Sequence, residues 1–129
     1  MKQIIIDTNA WMALAELKLD LFAELERYCD FPYKIGVLSG TIKELEKIVQ
    51  EQPGKHKRNA KLALAVLRAK KVPMLEQDAE NNFEIGVDNL LVEHSRKGDL
   101  VLTQDIALKK RLARPYLTLR QKKYVVMVR

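Results

Sequence analysis

Apolar positions in this chain come in two rhythms, continuous short runs and helical spacings, and the two alternate. Gln3 to Ile6 is short, apolar and β-branched, the pattern of a strand buried on both faces. Asp7-Thr8-Asn9 follows, three side chains able to satisfy free N–H groups at a helix start. Trp11, Met12, Leu14 and Ala15 then take helical spacing, and Leu21, Phe22 and Leu25 repeat it within Asp20 to Tyr28. After the break at Pro32, Tyr33 to Leu38 predicts a second strand. Ser39-Gly40-Thr41 opens a helix with Ile42, Leu45, Ile48 and Val49 on one face. Pro53-Gly54 predicts a turn, Asn59 to Lys70 a helix, and Val72 to Leu75 a third strand. Pro73 would confine that strand to an edge or a beginning. Glu76 to Glu84 reads as a polar connection, Gly86 to Arg96 as a helix, Leu100 to Thr103 as a fourth strand and Asp105 to Leu112 as a helix. Tyr116 to Leu119 and Tyr124 to Val128 are the closing strands, split by Arg120-Gln121-Lys122-Lys123. Strands alternating with helices of this length predict an α/β fold with a mostly parallel sheet and right-handed crossovers. No repeat, low-complexity tract or linker interrupts it, so residues 1–129 read as one domain.

Composition adds a direction. The formal net charge is +6, and it is unevenly placed. Lys55, Lys57, Arg58, Lys61, Arg68, Lys70 and Lys71 stand together without an acid, and from Asp105 to Arg129 only Asp105 opposes a second basic block. Such blocks favour a polyanionic partner, although a solvated helix face is the plainer account of either alone. The lone Cys29 excludes an internal disulfide, and His56 and His94 lack partners at zinc spacing. No apolar run approaches the roughly 20 residues of a membrane span, and the first residues lead directly into a strand. A cytoplasmic protein without membrane contact is expected.

The candidate chemistry lies in acids at the ends of apolar runs. Asp7 closes Ile4-Ile5-Ile6, and Asp105 follows Leu100-Val101-Leu102-Thr103. Residues at the carboxyl ends of parallel strands face one crevice. Glu44 and Asp88, each early in a helix, join them as candidates. Each has a structural alternative. Asp7, Asp88 and Asp105 are at cap positions, Thr41-Ile-Lys-Glu44 is a capping-box pattern, and Glu84 competes with Asp88. Asp99 reads as a turn residue. Capping alone would be served equally by Ser, Thr or Asn, whereas carboxylate oxygens are the ligands Mg²⁺ and Mn²⁺ prefer. No Ser–His–Asp set, Cys–His pair or phosphate-binding glycine loop offers a competing chemistry.

Taken in order, Ile4-Ile-Ile-Asp7-Thr-Asn9, Gly40-Thr-Ile-Lys-Glu44-Leu, Val87-Asp88-Asn-Leu-Leu and Val101-Leu-Thr103-Gln-Asp105 resemble the PIN-domain nucleases across nearly the whole chain. The resemblance implies a three-layer α/β/α fold and hydrolysis of RNA phosphodiester bonds with Mg²⁺ or Mn²⁺. Carried over by motif, Asp7, Glu44, Asp88 and Asp105 would be the catalytic, metal-binding acids, with Asn9 and Thr103 orienting them. Lys55, Lys57, Arg58, Lys61, Lys109, Lys110 and Arg111 would then contact RNA phosphates. The Gly40 to Leu45 stretch and Leu119 to Tyr124 look most like archaeal stand-alone proteins, akin to the PIN nucleases of small-subunit ribosomal RNA maturation. Toxins of toxin–antitoxin pairs are the nearest alternative. The resemblance thus implies structured or ribosomal precursor RNA as substrate, and a second copy, an antitoxin or a ribosome-assembly protein as partner. Asn89, where many relatives carry a second acid, and the acidic Glu76 to Glu84 connection depart from the pattern. Two other classes compete: a catalytically weak RNA- or protein-binding scaffold, and a phosphoacceptor module, which lacks the expected Lys-Pro after a late strand.

Overall fold

In the computed structural model, which describes residues 1–75 and 86–129, β1 (Lys2–Ile6), β2 (Tyr33–Gly36), β3 (Leu100–Leu102), β4 (Tyr116–Arg120) and β5 (Tyr124–Val128) form one sheet in the order β2-β1-β3-β4-β5. β1 pairs in parallel with β2 and β3, β3 pairs in parallel with β4, and only the β4–β5 hairpin is antiparallel. The apolar runs explain this core. Ile4, Ile5 and Ile6 are each fully buried, and so are Val101 and Leu102. Burial of such side chains stabilises the fold by roughly 2 kcal/mol apiece.

Alternation along the strands divides that core into two layers. Ile4, Ile6, Leu100, Leu102, Leu117 and Leu119 pack with α1 (Thr8–Leu17), α2 (Leu21–Tyr28), α3 (Ser39–Glu51) and α4 (Gly54–Ala69). On the other face Ile5 and Val101 meet Leu90 and Leu91 of α5 (Val87–Arg96) and Leu108 of α6 (Ile106–Arg111). The architecture is three-layer α/β/α. The β5 edge is covered by α2: Val125 N donates to Glu24 Oε1 at 3.1 Å, and Met127 N donates to the Tyr28 hydroxyl at 2.9 Å. Those contacts occupy main-chain donors that a bare edge strand would leave open.

Two expectations change. Val72 to Leu75 is no strand but a single parallel bridge, Val37 to Met74, with Val37 N on Pro73 O and Leu75 N on Val37 O, both at 3.0 Å. Pro73 lacks an N–H, so the ladder does not extend. Gly36 is what admits this segment, since a Cβ there would lie 2.9 Å from Leu75 Cδ2. The helix bounded at Asn59 from its apolar pattern begins at Gly54, and the basic residues Lys55, Lys57 and Arg58 form its start, as expected of a basic helix beginning. The Glu76 to Glu84 connection, with Glu84, lies outside the described residues. Trp11 is buried in the core, while Tyr28 and Tyr33 are half-buried, with the Tyr33 hydroxyl 3.3 Å from Glu26. No helix among the described residues is long and apolar enough to cross a membrane.

Candidate active site

β1 leads through α1 and α2 to β2 on one side, and β3 leads through α6 to β4 on the other, so the chain changes direction between β1 and β3. Open parallel sheets form their crevice at such a point. Asp7 stands immediately beyond β1 and Asp105 just beyond β3. The register pairs Ile6 with Leu102, and Asp7 N donates to Leu102 O at 2.9 Å, which brings Asp7 beside Thr103. The fully buried Thr103 hydroxyl joins the two acids: Oγ1 donates to Asp7 Oδ2 at 2.8 Å and accepts from Asp105 N at 3.1 Å.

Glu44 reaches the same place from α3. Its Oε1 accepts from Thr8 Oγ1 at 2.6 Å. The capping-box alternative does not hold, because Thr41 N bonds Leu38 O instead. Asp88 is exposed on the first turn of α5 and caps nothing. Asp7, Glu44, Asp88 and Asp105 line one cavity of about 520 Å³, together with Thr8, Asn9, Lys47, Ile48, Glu51 and Gln52. Asp7 and Asp105 differ in their use of the cap position. Asp7 makes no side-chain cap bond to α1, whereas Asp105 Oδ1 accepts from Leu108 N at 3.2 Å and caps α6.

The electrostatics identify Asp7 as the strained member. Burial pushes its carboxyl up to about 6, the Asp88 and Glu44 charges add to the rise, and the Thr103 hydrogen bond pulls it back. Among the described residues no salt bridge joins any of the four acids to a cation. Nor, among the described residues, do any three His, Cys, Asp or Glu side chains stand close enough together in this structure to hold a metal ion. The acid cluster therefore gathers negative charge around one cavity, with no ion pair to its four carboxylates among the described residues and with Glu44 and Asp88 exposed at its rim.

The remaining predicted residues fall less neatly. Asn9 is exposed, lines the cavity, and makes no side-chain hydrogen bond to an acid; the orienting hydroxyl beside it is Thr8. Lys55 is paired with Glu16 of α1. Lys57, Arg58 and Lys61 are exposed on α4, Lys110 is exposed on α6 and Lys109 is half-buried there. None of these is in the cavity lining, where the basic residue is Lys47. Arg111 donates to Asn89 Oδ1, so Asn89 ties α6 to α5 rather than facing the acids. Sequence reasoning missed Thr8, Lys47 and Glu51. The spacing of Glu44, Lys47, Ile48 and Glu51 along α3 carried the signal for the last two.

A family model described as a PIN-like domain matches residues 4–122. The chain belongs to the PIN-like domain family. Ribonuclease VapC4 of Methanocaldococcus jannaschii is 27% identical over 96% of this chain and 95% of its own length. Among solved structures, the PIN domain endonuclease Utp24 superposes with a TM-score of 0.71 at 22% identity, covering 97% of this chain and 90% of that one. VapBC2 from Rickettsia felis, solved bound to a DNA fragment from its promoter, gives a TM-score of 0.51 at 14% identity over 95% and 96% of the two chains. Both structural likenesses speak for the fold. The family match and the α/β/α architecture agree with the PIN-domain resemblance and the fold expected from it.

Proposed function

We propose that this PIN-like protein is a divalent-metal-dependent endoribonuclease. The observation that carries the reading is the gathering of Asp7, Glu44, Asp88 and Asp105 around one cavity without a cationic partner among the described residues. A structural role would leave such repulsion uncompensated. The donor set fits Mg²⁺ or Mn²⁺, which take a few carboxylates and keep several waters. Asp7 and Asp105, fixed by Thr103, would hold the ion, with Glu44 and Asp88 completing the set from α3 and α5. When bound, such an ion supplies an activated water and neutralises charge on a scissile phosphate. The chain's own part is orientation. Thr103 and Thr8 fix the carboxylate oxygens, and Lys47 offers positive charge at the rim for a phosphate. Exposed Lys57, Arg58, Lys61 and Lys110, with Lys55, Lys109 and Arg111 beside them, would hold the RNA backbone at longer range.

The identity to VapC4, a ribonuclease, supports RNA as substrate. We favour structured or ribosomal precursor RNA, with the toxin reading as the alternative. The partner would be a ribosome-assembly protein in the first case and an antitoxin in the second; a homodimer is compatible with either, as is a cytoplasmic location. The test is cleavage of labelled ribosomal RNA fragments with Mn²⁺, Mg²⁺ or EDTA, beside Asp7→Asn and Asp105→Asn. Metal-dependent cleavage lost in both variants is expected. Salt-sensitive binding without cleavage, equal in all three proteins, would replace the nuclease with an RNA-binding scaffold.

A further inference from the structure

The β4–β5 turn is a basic, aromatic projection that the acid cavity does not use. β4 runs parallel to β1 and β3, so its last residue, Arg120, ends at the same sheet edge as Asp7 and Asp105. β4 lies two strand spacings from β1, roughly 10 Å. Arg120, Gln121, Lys122 and Lys123 are all exposed and contain no acid. Gln121 and Lys122 both have φ 56°, and Lys123 N closes the turn on Arg120 O at 3.1 Å. Three residues, Gln121 to Lys123, separate the paired strand ends, and consecutive left-handed positions in such a turn are usually taken by Asn and Gly. Here long polar side chains stand at both positions despite the left-handed backbone.

Tyr124 is the register partner of Arg120 and is 46% exposed. The Arg27 guanidinium lies 5.8 Å from its ring centroid, so the ring is held from α2. The acid cavity also continues beyond the acids. Asn9, Ile48 and Gln52 of the acid cavity continue into a second cavity with Met12, Glu16 and His56. Glu16 is held below the usual carboxylate range, by Lys55 first and at longer reach by His56 and Lys122.

We propose that the β4–β5 turn is a docking platform for single-stranded RNA flanking the cleaved bond, with Tyr124 stacking on a base and Arg120, Lys122 and Lys123 holding phosphates. An exposed ring among cations is what sequence-tolerant single-strand binding requires, since every base offers a π-face. A paired duplex hides its base faces and would meet only the lysines and arginine. The proposal rests on the ribonuclease reading for the identity of the polyanion.

The test is fluorescence anisotropy in EDTA with a labelled oligouridine and a fully paired RNA duplex of equal length. Tyr124→Ala should weaken oligouridine binding about five-fold to a hundred-fold and leave the duplex unchanged, while Tyr124→Phe retains the native affinity. Lys122→Gln with Lys123→Gln should weaken both ligands and flatten the salt dependence. These positions are exposed or partly exposed, and unchanged thermal melting of Tyr124→Phe and the lysine variant controls for folding. Oligouridine affinity unchanged in Tyr124→Ala overturns the platform, and metal-dependent cleavage by the same preparation would leave the nuclease standing. Tyr124-dependent binding without any cleavage by the native chain upholds the platform and sinks the nuclease.

Discussion

Replacing Asp7 with Asn should stabilise the protein at neutral pH when metal is removed by EDTA. Asp7 is only 4% exposed, and its carboxyl is pushed up to about 6 from the ordinary 3.8 by burial first, with Asp88 and Glu44 adding to the rise. That difference corresponds to about 3 kcal/mol. Below about pH 4 the side chain is protonated in the folded and the unfolded chain alike, and costs nothing. Between about 4 and 6 the folded protein keeps a proton that the unfolded chain has released, so stability falls as pH rises through this window. Above about 6 the whole cost is present.

Asn is neutral throughout, and its carbonyl can still accept from Thr103 Oγ1, at the loss of about 1 kcal/mol for the weaker bond. The net gain expected at pH 7.5 is therefore about 2 kcal/mol, or about 8 °C in Tm for a chain of this size. Thermal melts of both proteins in EDTA at pH 4 and pH 7.5 decide it. A melting point for Asp7→Asn that is lower at pH 7.5, or raised equally at both pH values, would refute the electrostatic argument. Mn²⁺ should then reverse the order at pH 7.5, since binding to the folded state raises the native Tm and the variant has lost a charged ligand.

Further outcomes follow from the site and from the basic face beside it. Thr103→Val removes the hydroxyl between Asp7 and Asp105; ribonuclease activity should fall about 10- to 100-fold. Mn²⁺ affinity should decline as pH is lowered through about 6, where Asp7 protonates in the metal-free protein, and a titration of metal binding against pH should show this limb moved to higher pH in the variant. Gln104→Ala should lower kcat with RNA affinity in EDTA unchanged. The Gln104 amide continues the β3–β4 ladder, accepting from Thr118 Oγ1 and Leu119 N at 2.7 Å each, and so fixes the loop that carries Asp105. Lys109→Gln with Lys110→Gln should weaken binding of all RNA sequences alike and reduce the salt slope by about one per lysine, measured by titration at several ionic strengths; a sequence-selective loss would contradict a backbone contact.

What was legible in the chain, and what was not, divides by the range of the interaction. Ile4-Ile5-Ile6 and Leu100-Val101-Leu102 announced central strands because burial on both faces leaves no polar position, and strand ends fix where Asp7 and Asp105 emerge. Val72 to Leu75 had strand composition, but one missing N–H at Pro73 decides a hydrogen-bond ladder, and composition does not. The start of α4 was hard to bound for the opposite reason: Lys55 to Arg58 reads as a basic helix beginning but is polar all round and has no apolar face to mark the first residue. Glu44 is the sharpest case. Thr41 at i−3 made a local cap the natural reading, whereas the partner in the structure, Thr8, lies 36 residues away and is set by how α3 packs beside α1. The two accounts separate in experiment. Thr41 Oγ1 is buried without a hydrogen-bond partner in the structure, so Thr41→Val should leave stability unchanged or raise it by about 1 kcal/mol. A capping box would instead lose about 1 kcal/mol on that change. Thr8→Val should cost activity and Thr8→Ser restore it, because the hydroxyl that aims Glu44 belongs to α1. Melting curves and cleavage rates for these three variants would show which threonine holds the carboxylate, and a loss of stability in Thr41→Val with full activity in Thr8→Val would return Glu44 to its own helix.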